Sequence, residues 1–168
     1  MKHSELKQLM LHRPRLTLAV AESMTCGRVQ AKIGEISGAS EFFLGGITTY
    51  TLDEKVRHLG VGRAGAWRTN CVSPEVVAQM AKGVCALFDA DLGVATTGYA
   101  EPSPKNRVAA PFAWWALAHR RRGKFRPILI GRVECFGARR IETQGMVADA
   151  VVTELVAYLD RLRSGAGL

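Results

Sequence analysis

A serine, a tyrosine and a lysine in the first third of the chain could together support nucleophilic chemistry. Ser23 follows an apolar run at residues 16–21, and Tyr50 and Lys55 lie at and beyond the end of a run at residues 42–50. A serine hydroxyl becomes an effective nucleophile when a base takes its proton and donors stabilise the resulting oxyanion. Lys55 could be that base if burial lowers its pKa, and Tyr50 could relay a proton. The same spacing also fits a helix cap, a solvated lysine and a core tyrosine.

Cys26 is a second nucleophile candidate, because a thiol at a helix N-terminus can have a lowered pKa. The alternative is a small buried apolar group. No histidine lies in the polar segments around these residues, which excludes a serine–histidine–aspartate arrangement there. The four cysteines form no C-x-x-C pair, and the four histidines lie at no helical spacing to a cysteine or an acidic cluster. We therefore expect reduced thiols and no metal site.

Apolar runs alternate with amphipathic stretches along the chain, which is the pattern of an α/β layer fold. Thr51 and Ser73 are expected to cap helices, and Glu54 to complete a capping box with Thr51. No repeat or linker interrupts the pattern, which predicts a single domain over residues 1–168. Strands are predicted at residues 16–21, 42–50, 91–97, 112–118 and 127–135, and further helices at residues 3–12, about 28–36 and 140–162.

Ligands of open α/β folds collect where strands end and helices begin, because free N–H groups and helix dipoles point there. Three polar segments, residues 22–27, 49–55 and 96–102, are predicted to fall at such places. Of two adjacent tryptophans, Trp114 and Trp115, strand alternation puts one on each face of the sheet.

The chain has 168 residues and a formal net charge of +8. No apolar run approaches the roughly 18 residues of a membrane helix, and residues 12–14 interrupt the basic N-terminal segment before it resembles a signal peptide. We therefore expect a cytoplasmic protein with no membrane partner. The positive excess suggests an anionic partner, and a phosphorylated metabolite, nucleic acid or simple solubility would each account for it. The basic turn at residues 119–126 is expected to be solvated, with nucleic-acid binding as the alternative.

Several linked motifs resemble the CinA C-terminal domain family, in the order in which that family carries them. The resemblance covers about residues 16–159, and many motifs in one order are far more specific than any one of them. The motifs are Ala21-Glu22-Ser23-x-Thr25-x-Gly27, Gly38-x-Ser40, Thr49-Tyr50-x-x-x-x-Lys55 with Leu59-Gly60-Val61, Val72-Ser73-x-Glu75-Val76, Met80-Ala81-x-Gly83 and Thr97-Gly98-x-Ala100-x-Pro102.

The resemblance implies a three-layer α/β/α sandwich around a mixed, mostly parallel sheet. Members of this family include nicotinamide-nucleotide amidase, so the implied activity is hydrolysis of nicotinamide mononucleotide to nicotinate mononucleotide and ammonia, with no metal or cofactor. The family's nucleophile falls on Ser23, its tyrosine on Tyr50 and its lysine on Lys55. Lys55, helped by Tyr50, would deprotonate Ser23 for attack on the carboxamide carbon.

The resemblance also implies how the substrate is bound. Backbone N–H groups from Thr25 to Gly27 would hold the oxyanion, and Thr97 and Gly98 would contact the substrate. Arg140 matches the family's arginine that follows a Cys-Phe pair, and it would bind the phosphate. A guanidinium fork suits that contact. The implied partner is therefore a phosphorylated small molecule rather than nucleic acid.

Four positions depart from the family pattern as it is matched here. Cys26 and Glu101 stand where glycines are expected, Trp114 is a large ring at a small position, and Gln144 replaces an arginine. These departures leave an alternative function open, namely a divergent relative that binds a nucleotide-like ligand or hydrolyses a different amide. The interpretation as a nucleic-acid-binding module is supported only by the positive charge of the chain. The sequence also leaves open whether the protein forms a homo-oligomer.

Overall fold

Strands and helices alternate along the chain, as the apolar runs and amphipathic stretches predict. The computed structural model describes residues 3–165. The strands are β1 (Leu18–Glu22), β2 (Phe43–Thr48), β3 (Leu92–Tyr99), β4 (Phe112–Arg121), β5 (Lys124–Phe125) and β6 (Leu129–Glu134). The α-helices are α1 (His3–Leu11), α2 (Arg28–Gly34), α3 (Leu52–Leu59), α4 (Arg63–Arg68), α5 (Pro74–Phe88) and α6 (Arg140–Ser164).

The strands form one open sheet in the order β2-β1-β3-β4, and β5 and β6 both pair with β4. β1 runs parallel to β2 and β3, whereas β4 is antiparallel to β3, β5 and β6. Among the described strands, β4 alone therefore runs against the other five. This confirms the expected mixed sheet, in which β1 to β3 form the parallel part and β4 pairs antiparallel with its neighbours. It also brings the carboxyl ends of β1, β2 and β3 to one edge, where a ligand site is expected.

Helices cover both faces of the sheet, and successive side chains of β1 point alternately into the two hydrophobic cores that result. Leu18 and Val20 belong to the core formed with α1, α2 and α6, whereas Ala19 and Ala21 belong to the core formed with α3, α4 and α5. Small residues let α5 lie close to the sheet, since a Cβ on Gly93 would clash with the α5 backbone. The three-layer α/β/α sandwich is thus confirmed.

The basic turn differs from the sequence prediction. β4 continues to Arg121, so His119 is a buried strand residue rather than part of a solvated turn. His119 Nδ1 lies 2.6 Å from the hydroxyl of Tyr158 in α6, which satisfies a polar ring inside the core. The turn is reduced to Arg122 and Gly123, both with positive φ. Local charge predicts a loop here, but packing against α6 extends the strand.

Other predicted elements are close to the observed ones. Thr51 and Ser73 cap α3 and α5, and Trp114 and Trp115 lie on opposite faces of the sheet, as expected. The Glu54 carboxylate does not complete a capping box, because it pairs with side chains one turn further along α3. α4 has no counterpart in the prediction, since its short segment lacks apolar periodicity. None of the described helices is long and apolar enough to cross a membrane.

Candidate active site

Ser23 and Lys55 are in hydrogen-bond contact at the carboxyl edge of the sheet. Ser23 is the first residue after β1, and Lys55 lies in the first turn of α3, where Thr51 caps the helix by accepting the N–H of Glu54. Lys55 Nζ is 2.9 Å from Ser23 Oγ, and both side chains are buried. The structure therefore brings together the serine and the lysine that the sequence places only at two strand ends.

Lys55 is held by oxygen atoms that carry no formal charge. Its Nζ donates to the carbonyl oxygens of Thr49 at 2.6 Å and Tyr50 at 3.2 Å, and no carboxylate among the described residues pairs with it. Its side chain is fully buried, with 0% exposure. Burial lowers the pKa of Lys55 to about 8, so the neutral amine is accessible near physiological pH. A neutral amine at this position can accept the proton of the serine hydroxyl.

Ser23 and Lys55 line a cleft of about 290 Å³. Its walls include Trp67 from α4, Cys71 from the following loop and Tyr99 from the end of β3. Tyr99 lies in the polar segment 96–102 that the sequence places at a ligand site, whereas sequence reasoning missed Trp67 and Cys71. α4 shows no periodic pattern, so nothing local marks Trp67. Burial raises the pKa of the Cys71 thiol, which makes this cysteine a neutral part of the wall rather than a thiolate nucleophile.

Tyr50 contributes to the site through two different groups. Its carbonyl oxygen accepts a hydrogen bond from Lys55 Nζ, whereas its phenol oxygen accepts a hydrogen bond from Arg140 at 2.7 Å. Arg140 also donates to Glu101 at 2.8 Å. These three side chains line a smaller cleft of about 180 Å³ that shares Tyr50 with the first. In this structure Tyr50 therefore contacts Lys55 through its main chain, and its ring faces the arginine.

Glu22, the last residue of β1, holds the N-terminus of α2. Its fully buried carboxylate accepts the backbone N–H groups of Gly27 at 2.9 Å, Val29 at 3.2 Å and Gln30 at 2.9 Å. The Gln30 side chain adds a fourth hydrogen bond at 3.1 Å. The sequence analysis assigned no role to Glu22, although a carboxylate just before a helix is a signal for such a contact. Glu22 thereby orients the loop that carries the serine.

The oxyanion donors predicted over residues 25–27 are only partly available. The N–H of Cys26 donates to the carbonyl oxygen of the serine at 3.2 Å, and the N–H of Gly27 is taken by the β1 carboxylate. The N–H groups of Met24 and Thr25 have no hydrogen-bond partner among residues 3–165. They immediately follow the nucleophile candidate, so they are the donors left to face a developing oxyanion.

Thr25 and Thr97 support the site from behind. Thr25 Oγ1 lies 2.7 Å from Thr96 Oγ1, and the Thr97 hydroxyl donates to the carbonyl oxygen of Cys71 at 2.8 Å. Both side chains are buried and line neither cleft, unlike the substrate contacts that the resemblance implied. Gly98 does line both clefts, and a Cβ there would clash with the β4 backbone.

Gln144 ties the loop after the serine to α6. Its Nε2 donates to the carbonyl oxygen of Met24 at 2.8 Å, and its Oε1 accepts from Arg28 Nε at 3.2 Å. An arginine was expected at this position from the resemblance. The glutamine makes a buried structural link there instead.

The remaining departures differ in their relation to the clefts. Cys26 is exposed, has φ of 52° and lines neither cleft, so the rival nucleophile lies outside them. Trp114 also lines neither cleft, and the guanidinium of Arg132 lies 5.4 Å from its ring. Of the four departures from the family pattern, only Glu101 lines a cleft, namely the smaller one. In the described part of the chain, no group of three or more His, Cys, Asp or Glu side chains is arranged to hold a metal ion.

The family model of the CinA C-terminal domain matches residues 2–155. The chain belongs to the CinA C-terminal domain family. A relative from Streptococcus equi subsp. zooepidemicus, named as a competence-damage inducible protein, is 34% identical over 134 residues, which are 80% of this chain and 32% of the relative. A protein of the same name from Halothermothrix orenii is 41% identical over 93 residues, which are 55% of this chain and 22% of the relative. The chain thus spans about a fifth to a third of the curated relatives it matches.

Solved structures of CinA proteins share the fold. The CinA superfamily protein from Enterobacter cloacae superposes with a TM-score of 0.83 at 25% identity, covering 94% of this chain and 89% of the other. The competence/damage inducible protein from Agrobacterium tumefaciens has a TM-score of 0.78 at 27% identity and covers 94% of both chains. The α/β/α architecture is therefore that of the CinA family.

Proposed function

We propose that this CinA-family chain is an amidohydrolase that converts nicotinamide mononucleotide to nicotinate mononucleotide and ammonia. The observation that carries the proposal is the 2.9 Å contact between Ser23 Oγ and the buried Nζ of Lys55. Burial lowers the pKa of Lys55 to about 8, which suits a general base for a serine nucleophile. The choice of substrate rests on the resemblance of the motifs around Ser23, Tyr50, Lys55 and Arg140 to nicotinamide-nucleotide amidase.

The first half-reaction forms an ester on the enzyme. Lys55 takes the proton of Ser23 as Oγ bonds to the carboxamide carbon, and the N–H groups of Met24 and Thr25 stabilise the oxyanion. Lys55 then returns that proton to the departing nitrogen, so the C–N bond breaks and ammonia leaves. The acyl group remains bound to Ser23 Oγ.

The second half-reaction consumes one water molecule. Water attacks the ester carbon while Lys55 accepts one of its protons. The bond to Ser23 Oγ then breaks, and Oγ recovers the proton from Lys55. The acid is released, and the serine and the amine return to their starting states. Each half-reaction therefore uses the same amine first as a base and then as an acid.

Arg140 supports a phosphorylated substrate. Its guanidinium lies at the smaller cleft and bonds the hydroxyl of Tyr50, which lines both clefts, and it can form a forked contact with a phosphate. In this arrangement the carboxamide occupies the larger cleft and the phosphate the smaller one. Glu101 already pairs with Arg140, so the phosphate must displace or share that carboxylate.

The same ion pair favours a second candidate function. With Glu101 bound to Arg140 at 2.8 Å, the smaller cleft holds a negative charge where a phosphate would bind. A divergent family member that hydrolyses a different amide, or that binds a nucleotide-like ligand without turnover, would tolerate this charge. The two functions differ in whether ammonia is released from nicotinamide mononucleotide.

Ammonia release from nicotinamide mononucleotide tests the proposal. We expect turnover by the wild-type protein and a loss of kcat/KM of at least about a thousandfold in both Ser23→Ala and Lys55→Met, because each removes one half of the nucleophile–base pair. Ser40→Ala and Lys105→Met are the matched controls, since both residues are exposed and line neither cleft. Both controls should keep wild-type activity.

Two outcomes would contradict the amidohydrolase. One is a wild-type protein that releases no ammonia while nicotinamide mononucleotide raises its melting temperature, which would favour a binding protein. The other is a Ser23→Ala protein that remains folded by circular dichroism and retains full activity. That result would assign the hydrolysis to another nucleophile.

A further inference from the structure

Seven arginines from three distant parts of the chain meet at the edge of the sheet opposite the serine. They line a cleft of about 450 Å³ beside the first residues of β1 and β3, whereas Ser23 follows the other end of β1. The segment before β1, the β4–β5 turn region and the end of α6 each contribute to it. The arginines are Arg13, Arg15, Arg120, Arg121, Arg122, Arg126 and Arg163.

Most of this positive charge is not neutralised within the protein. Arg120 pairs with Asp89, and Arg163 donates to two backbone carbonyl oxygens. The other five arginines form no ion pair and no side-chain hydrogen bond with the described residues. Asp91 is the acidic side chain in the lining, and one of its carboxylate oxygens already accepts the N–H and the hydroxyl of Thr17, both at 2.9 Å.

The histidine in the lining of this cleft, His119, is neutral at neutral pH. His119 is buried there and bonded to Tyr158, and its pKa is lowered to about 4, first by burial and then by repulsion from Arg126, Arg121 and Arg163. The arginine repulsion adds to the effect of burial, and Asp91 opposes it. A ligand that enters this cleft therefore meets arginine side chains contributed by three segments of the chain.

We propose that this arginine cleft binds a compact polyanion with two or more adjacent phosphate groups, of the kind found in nucleoside polyphosphates and inorganic polyphosphate. Guanidinium groups bind phosphate oxygens in forked, charge-assisted pairs, and several converging forks suit several linked phosphates. The described lining contains no Phe, Tyr or Trp side chain on which the bases of a single-stranded nucleic acid could stack. The cleft is independent of the proposed amidohydrolase, because it shares no lining residue with either cleft near Ser23.

Calorimetric titration with tripolyphosphate tests this site. The double variant Arg15→Gln/Arg126→Gln removes one guanidinium from each of two segments, and it should weaken binding by at least about tenfold, since charge-assisted hydrogen bonds are lost. Lys105→Gln/Arg107→Gln removes the same charge from exposed residues outside the cleft and should bind like the wild type. Arg140→Gln should also bind tripolyphosphate normally. Adenosine triphosphate is the second probe, and binding equal to or tighter than that of tripolyphosphate supports the same site.

Three results would overturn the proposal. The first is an equal loss of affinity in the two double variants, which would indicate diffuse attraction by net charge. The second is loss of tripolyphosphate binding only in Arg140→Gln, which would place the ligand in the cleft near Ser23. The third is tighter binding of a single-stranded oligonucleotide than of either polyphosphate, which would indicate a nucleic-acid surface. Thermal melting of each variant verifies that a loss reflects binding rather than unfolding.

Discussion

At the scale of single residues, the chemistry of Lys55 follows from its burial. A solvated lysine is almost wholly protonated at neutral pH, whereas burial lowers the pKa of this amine to about 8. Carbonyl oxygens of Thr49 and Tyr50 orient Nζ toward Ser23 without supplying a full negative charge that would stabilise the ammonium. The residue is thus positioned as a donor in its charged form and as a proton acceptor in its neutral form.

A pH dependence follows if the neutral amine is the working form. The kcat/KM of the wild-type protein should rise with pH and level off above an apparent pKa of about 8, because protonation of Lys55 below that value removes the base. Steady-state rates between about pH 6 and about pH 9.5 measure this. His58→Gln is the control, since this exposed histidine lies on the same helix and pairs with Glu54. An inflection that disappears in His58→Gln would assign the titration to the histidine instead.

Glu101 and Arg140 decide how readily the smaller cleft takes a phosphate. Replacing Glu101 by Gln removes the competing charge, and the KM for nicotinamide mononucleotide should fall about two- to fivefold with kcat nearly unchanged. The effect is modest because this pair is solvent-exposed. Glu134→Gln breaks a comparable exposed pair with Arg132 and should leave KM unaltered. A rise in KM in Glu101→Gln would instead make Glu101 a direct substrate contact.

At the scale of elements, the β1–α2 connection is the part that positions the nucleophile. Glu22 ends the strand and accepts the first N–H groups of α2, so the few residues between them are held at both ends. Gln144 ties the same loop to α6 through the carbonyl oxygen of Met24. Ser23 is therefore presented by a strand, a helix start and a second helix together.

A carboxylate is required at Glu22, because an amide would direct its own N–H groups against backbone donors. We expect Glu22→Gln to lower the free energy of unfolding by about 1–3 kcal/mol, the cost of leaving buried donors unsatisfied. Urea denaturation followed by circular dichroism measures the change. Glu35→Gln, at the exposed far end of α2, should change it by less than about 0.5 kcal/mol. Equal stabilities of the two variants would show that the buried hydrogen bonds of Glu22 are not needed.

At the scale of the whole molecule, the sheet separates the arginine cleft from the two clefts near Ser23. The edge after β1 carries the serine and the lysine, and the opposite edge carries the seven arginines. Both depend on residues that are distant in sequence, so both require the completed sandwich. The titrations with tripolyphosphate belong to this scale, since Arg15 and Arg126 lie 111 residues apart and meet only in the folded chain.

Much of the fold could be predicted from local pattern, and part of the site could not. The alternation of apolar and amphipathic segments predicts β1 to β4 and the capped starts of α3 and α5, because side-chain periodicity and capping are short-range properties. The contact between Ser23 and Lys55 depends on how β1 and β2 align. The hydroxyl of Tyr50 accepts a hydrogen bond from Arg140 at the start of α6, a contact between residues 90 positions apart that no local pattern encodes.

The sequence by itself determined the family, the order of the strands and helices other than α4 and β5, and which residue types lie at the strand ends. The tertiary structure decided the rest: the 2.9 Å contact at Ser23, the buried state of Lys55 and the gathering of arginines around His119. The physical reason is the distance along the chain over which each interaction acts. Periodicity and capping act over a few residues, whereas burial and electrostatic interactions act through space between segments that only folding brings together.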